Sequence, residues 1–359
     1  MSAASVRARI VRFAEHPYLL DMAGEPMVLA PASYVSPDAS GVARYLALAL
    51  PALQEALAPL QRLALKGMRV PLFLGLPPSR PGLPRSLPET LCAELGRRGG
   101  PWIHPERIQV FQAGHSAGLL ALKEARQWLL RREGPLCLVG GVDSYLEPET
   151  LEWLDGRGQL KSNTSRWGFV PGEAAGFCLL ASPEEVKSCG LEPLAQILSV
   201  ATAIEQSRAV PGVVCMGVGL TRAMREALEA LPDSERVEQV ICDLNGERYR
   251  TDEYGFTVVR LQERFVDATE AWTPADCWGD VGAASGPLFL GLAVASSQRG
   301  YARGARVLAW TSSEQGERSS ALLELPDRPE SKSNHRYNGG PPEGSRGLVP
   351  GGAMGRTGR

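Results

Sequence analysis

One short stretch of the chain carries residues whose types and spacing could do chemistry. Residues 114–118, GHSAG, form a glycine-bounded turn after an apolar run at 108–111 that predicts a strand. Apolar residues at near-helical spacing follow and predict a helix. A turn of this kind lifts one side chain above a sheet, and the helix N-terminus favours negative charge beside it. The pattern is typical of a site that presents a nucleophile.

Two interpretations of this turn are open. In the first, GHSAG is the G-x-S-x-G of a serine hydrolase, and Ser116 attacks an ester carbonyl. That chemistry needs a histidine base, held by an acid, later in the chain. The only later histidine is His335, in a polar segment rich in Gly, Pro and Arg, where we do not expect a fixed orientation toward Ser116. The hydrolase is therefore the weaker interpretation.

Composition limits the class of protein. The chain has 359 residues, of which 44% are apolar and 22% charged, as in a soluble globular protein with a sizeable core. A formal charge of −2 gives no indication of binding to nucleic acid or a membrane surface. We find neither a membrane-spanning run nor a secretory signal. Seven cysteines without zinc-ligand spacing predict reduced thiols, a cytoplasmic protein and neither metal nor cofactor.

Strands and helices alternate along most of the chain, which predicts an α/β fold with largely parallel strands. An Ala/Leu-rich helical stretch at 42–66 contains Pro51 and Pro59, and we expect it to break into two pieces there. A further helix is predicted at 252–264. Residues 327–359 are too polar to bury much apolar area and predict a disordered tail.

Four segments, in order, resemble the β-ketoacyl synthases of the thiolase-like superfamily, over roughly residues 10–325. They are 114–125 with the GHSAG turn, VGGVD at 139–143, GFVPGEAA at 168–175, and GDVGAASG at 279–286. The third is similar to the family's G-F-V-x-G-E-G-A, and the fourth to its G-H-x-x-G-A-A-G.

The resemblance implies a fold of five layers, α-β-α-β-α, built from two pseudo-symmetric halves and usually dimeric. It places the first half at 1–183, the second at 184–326 and the tail at 327–359. The family's opening strand has no counterpart here, so we expect the first sheet to lack a member and to present an unpaired edge.

The resemblance also locates the positions of the family's chemistry. Its members use a cysteine that takes the acyl group as a thioester and two histidines that stabilise the oxyanion and assist decarboxylation of a malonyl unit. By position, the cysteine falls on His115, or on Ser116 if the turn is shifted by one. The two histidines fall on Asn245 and Asp280. The family's lysine falls on Ala275, and its G-F-G-G loop becomes SEQG at 313–316.

These differences together remove the mechanism, since the loss of a single oxyanion donor costs about 3–4 kcal/mol of barrier and an aspartate repels a developing oxyanion. The resemblance thus implies a non-catalytic partner or adaptor, in a homodimer or a heterodimer with a related synthase, that contacts acyl carrier protein or acyl-CoA. The alternative is an altered enzyme for acyl thioesters, in which Asp280 orients His115 as a general base. His115, Asn245 and Asp280 are otherwise polar residues lining a remnant pocket, and Glu173 caps backbone amides.

Overall fold

Two four-stranded β-sheets organise the chain in a computed structural model that describes residues 3–62, 69–207 and 213–326. The predicted tail at 327–359, with His335, lies outside the described residues. The strands are β1 (Ala14–Leu20), β2 (Pro26–Leu29), β3 (Leu72–Leu76), β4 (Ile108–Gln112), β5 (Leu136–Ser144), β6 (Glu173–Ala181), β7 (Gln196–Ile204), β8 (Gln239–Cys242), β9 (Arg306–Ser312) and β10 (Glu317–Glu324). The α-helices are α1 (Ala3–Ala8), α2 (Gly41–Arg62), α3 (Leu87–Arg98), α4 (Ala117–Leu130), α5 (Pro148–Gly156), α6 (Pro183–Ser188), α7 (Val218–Leu228), α8 (Arg248–Leu261), α9 (Ala275–Trp278) and α10 (Ser285–Gln298).

Both sheets are mixed, but three strands of each run in one direction, so the expectation of largely parallel strands is confirmed. The first sheet has the order β4-β3-β5-β6, in which β3 is parallel to β4 and β5, and β6 is antiparallel to β5. The second has the order β7-β10-β9-β8, in which β10 runs antiparallel to both neighbours. A short hairpin joins β9 to β10, and a connection of that length permits only antiparallel pairing. A separate hairpin, β1-β2, packs outside both sheets.

The five-layer α/β fold expected from the resemblance is confirmed. Helices α2 and α3 pack on the outer face of the first sheet, and α7 and α8 on the outer face of the second. Helices α4 and α10 lie between the sheets, where Val139 and Ala309 line one continuous apolar core with them. Because α10 contacts apolar surface on both sides, it is apolar around most of its circumference. The division between halves at 183/184 falls in the connection from β6 to β7 and stays a prediction.

Helix α2 runs unbroken through Pro51 and Pro59, so the predicted break is wrong. An interior proline costs about 3 kcal/mol. The helix recovers more than this by packing, since each fully buried leucine contributes about 1.5–3 kcal/mol. Fully buried side chains on its inner face include Tyr45, Leu48, Leu53, Leu57 and Leu60.

Two further findings concern the membrane and the thiols. Within the described ranges, no helix has the length and apolar character needed to span a bilayer. All seven cysteines are free thiols, and four of them are buried.

Close backbone packing at the centre of the molecule predicts a large effect of one methyl group. A Cβ at Gly141, on β5, would lie 2.2 Å from the carbonyl oxygen of Ala283. Gly141→Ala is therefore expected to lower the free energy of unfolding by about 3 kcal/mol, because backbone atoms cannot move aside. Gly255 is the matched control: it lies on α8 with nothing within 4 Å of a Cβ, and Gly255→Ala should raise stability by about 0.5–1 kcal/mol. Urea unfolding measures both, and equal effects would contradict the argument.

Candidate functional site

His115 lies in the turn between β4 and α4, as the sequence predicts. Residues Gly114–Ser116 form one turn of 3₁₀ helix, and Gly114 has a positive φ of 55° that favours glycine. The side chain of His115 does not point into solvent, since the residue is only 4% exposed. The turn therefore directs the imidazole into the protein, toward the second half of the chain.

Asp280 and Asn245 meet His115 there. Asn245 follows β8, and Asp280 follows α9. The Nε2 of His115 lies 2.8 Å from each carboxylate oxygen of Asp280, and Asn245 Nδ2 donates to Asp280 Oδ2 at 2.6 Å. The backbone N–H of Gly282 donates to Asp280 Oδ1 at 2.8 Å. The structure thus brings all three positions together, with Asp280 at their centre and both of its oxygens occupied.

Arg250 completes this cluster and was missed in the sequence. Its guanidinium is fully buried and lies 3.3 Å, through Nη2, from both ring nitrogens of His115. It donates to Asp243 at 3.0 Å, to Glu247 at 2.9 Å and to the carbonyl oxygen of Ser312 at 2.6 Å. Helix α8 begins four residues before the predicted helix, which places Arg250 in its first turn. The signal available was the acid-rich DLNGE followed by an arginine three residues after Glu247.

The charges of this cluster shift one another's pKa values. Burial lowers the pKa of His115, but Asp280 outweighs it and the pKa is raised above its ordinary value. Burial raises the pKa of Asp280, but His115 and Arg250 outweigh it and hold that pKa well below its ordinary value. Both directions describe an ion pair between His115 and Asp280. Burial raises the pKa of Asp243 despite the opposing charge of Arg250.

This pair predicts how stability depends on pH. The folded protein holds a proton on His115 more tightly than the unfolded chain does. The ion pair therefore contributes fully to the free energy of unfolding below pH 6.5, the pKa of the histidine in the unfolded chain. This contribution is lost as the pH rises through the pKa of His115 in the folded protein. We therefore expect the free energy of unfolding to fall with pH above about 6.5. Urea unfolding from pH 5.5 to 9 measures the slope. His115→Gln should flatten it, and an unchanged slope would contradict the ion pair.

The cluster encloses almost no free space. The cavity beside Asp280 is about 10 Å³ and is lined by Asn245 and Trp278, among others. That volume holds about one water molecule. His115 does not line this cavity, and its side chain is almost closed to solvent in this conformation.

Ser116 does not have the surroundings of a catalytic serine. It is fully buried, and its Oγ donates to the main-chain carbonyls of Thr311 at 3.2 Å or Glu317 at 3.0 Å. Its backbone N–H donates to Ser313 Oγ at 2.9 Å. The hydroxyl therefore joins the GHSAG turn to β9 and β10 rather than meeting a base.

Glu173 is also a structural group. Its Oε1 accepts the backbone N–H of Ala32 at 3.0 Å, in line with the expected capping role. Its Oε2 accepts from Arg44 at 2.7 Å and from Ser144 Oγ at 2.8 Å. The carboxylate is fully buried and fixes α2 to β5 and β6 through the Arg44 ion pair.

One group of side chains has the composition of a metal site. Within the described parts of the chain, only Glu205, Cys215 and Glu253 place three ligand atoms within 4.8 Å of one another. They are scattered in sequence, so ligand spacing could not reveal them. Both carboxylates have protein partners: Glu205 accepts the N–H of Gly219 at 2.7 Å, and Glu253 pairs with Arg318.

Comparison with known proteins agrees with this fold. Residues 108–185, from β4 into α6, match the family model of the β-ketoacyl synthase N-terminal domain. No curated protein matches by sequence.

Solved structures match over most of the chain. The ketosynthase from module 6 of the bacillaene synthase of Bacillus subtilis 168 is 15% identical, with a TM-score of 0.70 over 90% of this chain and 68% of that one. A β-ketoacyl synthase from Burkholderia phymatum STM815 is 16% identical, with a TM-score of 0.69 over 90% and 94%. The ishigamide ketosynthase/chain length factor is 18% identical, with a TM-score of 0.63 over 90% and 94%. The chain therefore has the fold of these ketosynthases, and its residues 108–185 are similar to the β-ketoacyl synthase N-terminal domain.

Proposed function

We propose that this chain is a non-catalytic member of the ketosynthase group that works as a partner or adaptor subunit. The observation that carries the proposal is the buried cluster of His115, Asp280 and Arg250. By the resemblance, His115 stands where the active synthases carry their nucleophilic cysteine. Here that position belongs to a closed ion-pair network instead of an open pocket.

Each requirement of acyl transfer is opposed by this cluster. A nucleophile must be accessible and unprotonated, whereas the Nε2 of His115 donates to Asp280 and the raised pKa of the imidazole favours its protonated form. An oxyanion needs donors, whereas the carboxylate of Asp280 carries negative charge at one of the former histidine positions. The cavity beside Asp280, at about 10 Å³, is too small for an acyl chain.

The partner of such a subunit is proposed from its structural relatives. One of them is a type II PKS acyl-carrier protein in complex with its ketosynthase, 15% identical, with a TM-score of 0.65 over 90% of this chain. Another is a ketosynthase/chain length factor. We infer that this chain pairs with a related ketosynthase, and that its complex receives acyl groups on a carrier protein. Sedimentation of the purified chain with a ketosynthase of its own organism tests the pairing.

A second function is favoured by one specific observation. The His115–Asp280 contact of 2.8 Å has the geometry of a general base held by an acid. An enzyme that used it on acyl thioesters would have to open the cavity and move Arg250 away from the imidazole. This candidate ranks below the first because it requires that rearrangement.

The two functions predict different results with thioester substrates. The folded protein is incubated with acyl- and malonyl-thioesters of CoA and of carrier protein, and intact mass and released thiol are followed. We expect no adduct and no thiol release above the rate without protein, and the same result for His115→Ala. An adduct or thiol release that disappears in His115→Ala would overturn the non-catalytic proposal. A serine-directed fluorophosphonate should likewise add no mass at Ser116.

A further inference from the structure

The hairpin of β1 and β2 contains an irregularity that leaves part of its backbone without ladder partners. Glu15 pairs with Val28, but the next pair along the hairpin is Leu20 with Pro26. The four residues 16–19 of β1 therefore lie opposite one residue of β2, as an extended β-bulge. Because the ladder assigns no partner to these four residues, any N–H among them needs an acceptor from elsewhere.

The imidazole of His16 supplies this acceptor. Its Nδ1 accepts the backbone N–H of Tyr18 at 3.2 Å and that of Leu19 at 2.9 Å. Pro17, which follows His16, has no N–H to satisfy. Because a backbone N–H can only donate, Nδ1 must carry a lone pair, and the ring hydrogen of the neutral imidazole then lies on Nε2. The bulge thus requires the neutral form of His16.

The bulge also decides which side chain of this segment reaches the interior. Leu19 is half-buried and packs on the apolar cluster that includes Met27, Leu29 and Leu151. Tyr18, beside it, is 85% exposed. The backbone conformation that His16 stabilises therefore anchors this end of the hairpin through Leu19.

We propose that His16 makes the bulge a pH-sensitive element, which is closed while the imidazole is neutral and opens when the imidazole takes up a proton. A protonated imidazole carries an N–H on both ring nitrogens and has no acceptor left. It cannot accept from Tyr18 or Leu19, and it presents positive charge to their N–H groups. Both amides then turn to water, and Leu19 loses its fixed position on the apolar cluster.

The pH range follows from the environment of the imidazole. Burial lowers the pKa of His16 below its ordinary value of 6.5, in agreement with a position that needs the neutral ring. The contribution of the closed bulge to stability is therefore present above pH 6.5, the pKa in the unfolded chain. It is lost as the pH falls through the lower pKa of His16 in the folded protein. This direction is opposite to that expected for His115.

The charged groups around the bulge are carboxylates. The hairpin carries Glu15, Asp21 and Glu25, and Asp155 of α5 accepts the N–H of Met22 at 2.8 Å. Among the described residues, none of these carboxylates shifts the pKa of His16. Burial raises the pKa of Asp155 above its ordinary value of 3.8, so protonation of Asp155 has to be separated from that of the imidazole.

Amide exchange of the full chain, followed by NMR, tests the proposal. At about pH 7.5 the N–H groups of Tyr18 and Leu19 should be protected, and ring spectra should place the hydrogen of His16 on Nε2. On lowering the pH to about 5, their exchange, corrected for the intrinsic pH dependence of the reaction, should become about tenfold faster or more, since each amide loses its hydrogen bond. Amides of β3 report global unfolding and should keep their protection.

Two variants separate the imidazole from the neighbouring carboxylates. His16→Asn keeps a side-chain oxygen that accepts at every pH, and should protect both amides at both pH values. His16→Ala removes the acceptor, and should leave both amides unprotected throughout.

Three results would overturn the proposal. The first is a pKa of His16 at or above 6.5 in the folded protein. The second is a lack of protection of Tyr18 and Leu19 at the higher pH. The third is a response to pH in His16→Asn as large as in the unmodified chain, which would assign the effect to a carboxylate such as Asp155.

Discussion

Replacing Arg250 with alanine is expected to lower the free energy of unfolding by about 3–5 kcal/mol, the cost of breaking a buried ion pair from one side. The guanidinium is fully buried and is the shared partner of Asp243 and Glu247. Its removal leaves these two carboxylates, both buried, without the cation that they share. Urea unfolding at pH 7 measures the loss. Arg248→Ala on the same helix is the matched control, since its contact with Asp252 is exposed at 3.6 Å and should contribute less than about 1 kcal/mol.

The same variant has a second expected effect, which a purely steric role would not produce. The charge of Arg250 opposes protonation of His115, so its removal should raise the pKa of His115 further. The decrease of stability with pH, which begins near the unfolded pKa of 6.5, should then extend to a higher pH than in the unmodified chain. If Arg250→Ala destabilises no more than Arg248→Ala, or leaves the pH dependence in place, the cluster is not the electrostatic unit described above.

The second large effect is expected at the Arg44–Glu173 ion pair between α2 and β6. Glu173→Ala should cost about 3–5 kcal/mol, because it leaves a buried guanidinium unpaired and removes the acceptor of the Ala32 N–H. Arg44→Ala should cost a similar amount. The double variant should cost less than the sum by about 1–3 kcal/mol, since each single change already breaks the same contact.

Urea unfolding of the four proteins gives this coupling directly. Glu184→Ala, at an exposed position of α6, controls for the loss of a carboxylate and should be nearly neutral. Strict additivity of the two single changes would show that the pair does not act as one unit.

The local elements of the site could be predicted from the sequence because their signals are local. The apolar run of β4, the glycine turn and the spacing of α4 all lie within about 25 residues, and each depends on neighbours in sequence. The continuity of α2 could not be predicted in this way. Its prolines are a local penalty, whereas the burial that outweighs them comes from β3, β5 and β6, far along the chain.

The family resemblance, and no local sequence pattern, predicted that the site residues lie close together in the fold. His115 and Asp280 are 165 residues apart, and neither has a neighbour that indicates the other. Arg250 was missed for a related reason. A charged residue near a helix start normally suggests a solvated position, and only the packing of α8 against β9 and the GHSAG turn makes it a buried one.

The buried cluster also bears on how the molecule comes apart. Its charges come from elements of both sheets: His115 follows β4 of the first sheet, and Arg250 lies on α8, which packs on the second. If the elements of one sheet unfolded while those of the other stayed folded, one partner of this ion pair would become hydrated. The other partner would keep its charge in an apolar surface without a counter-ion. A species in which only one sheet is folded is therefore disfavoured. The ion pairs around Asp280 therefore also oppose the separate unfolding of either sheet.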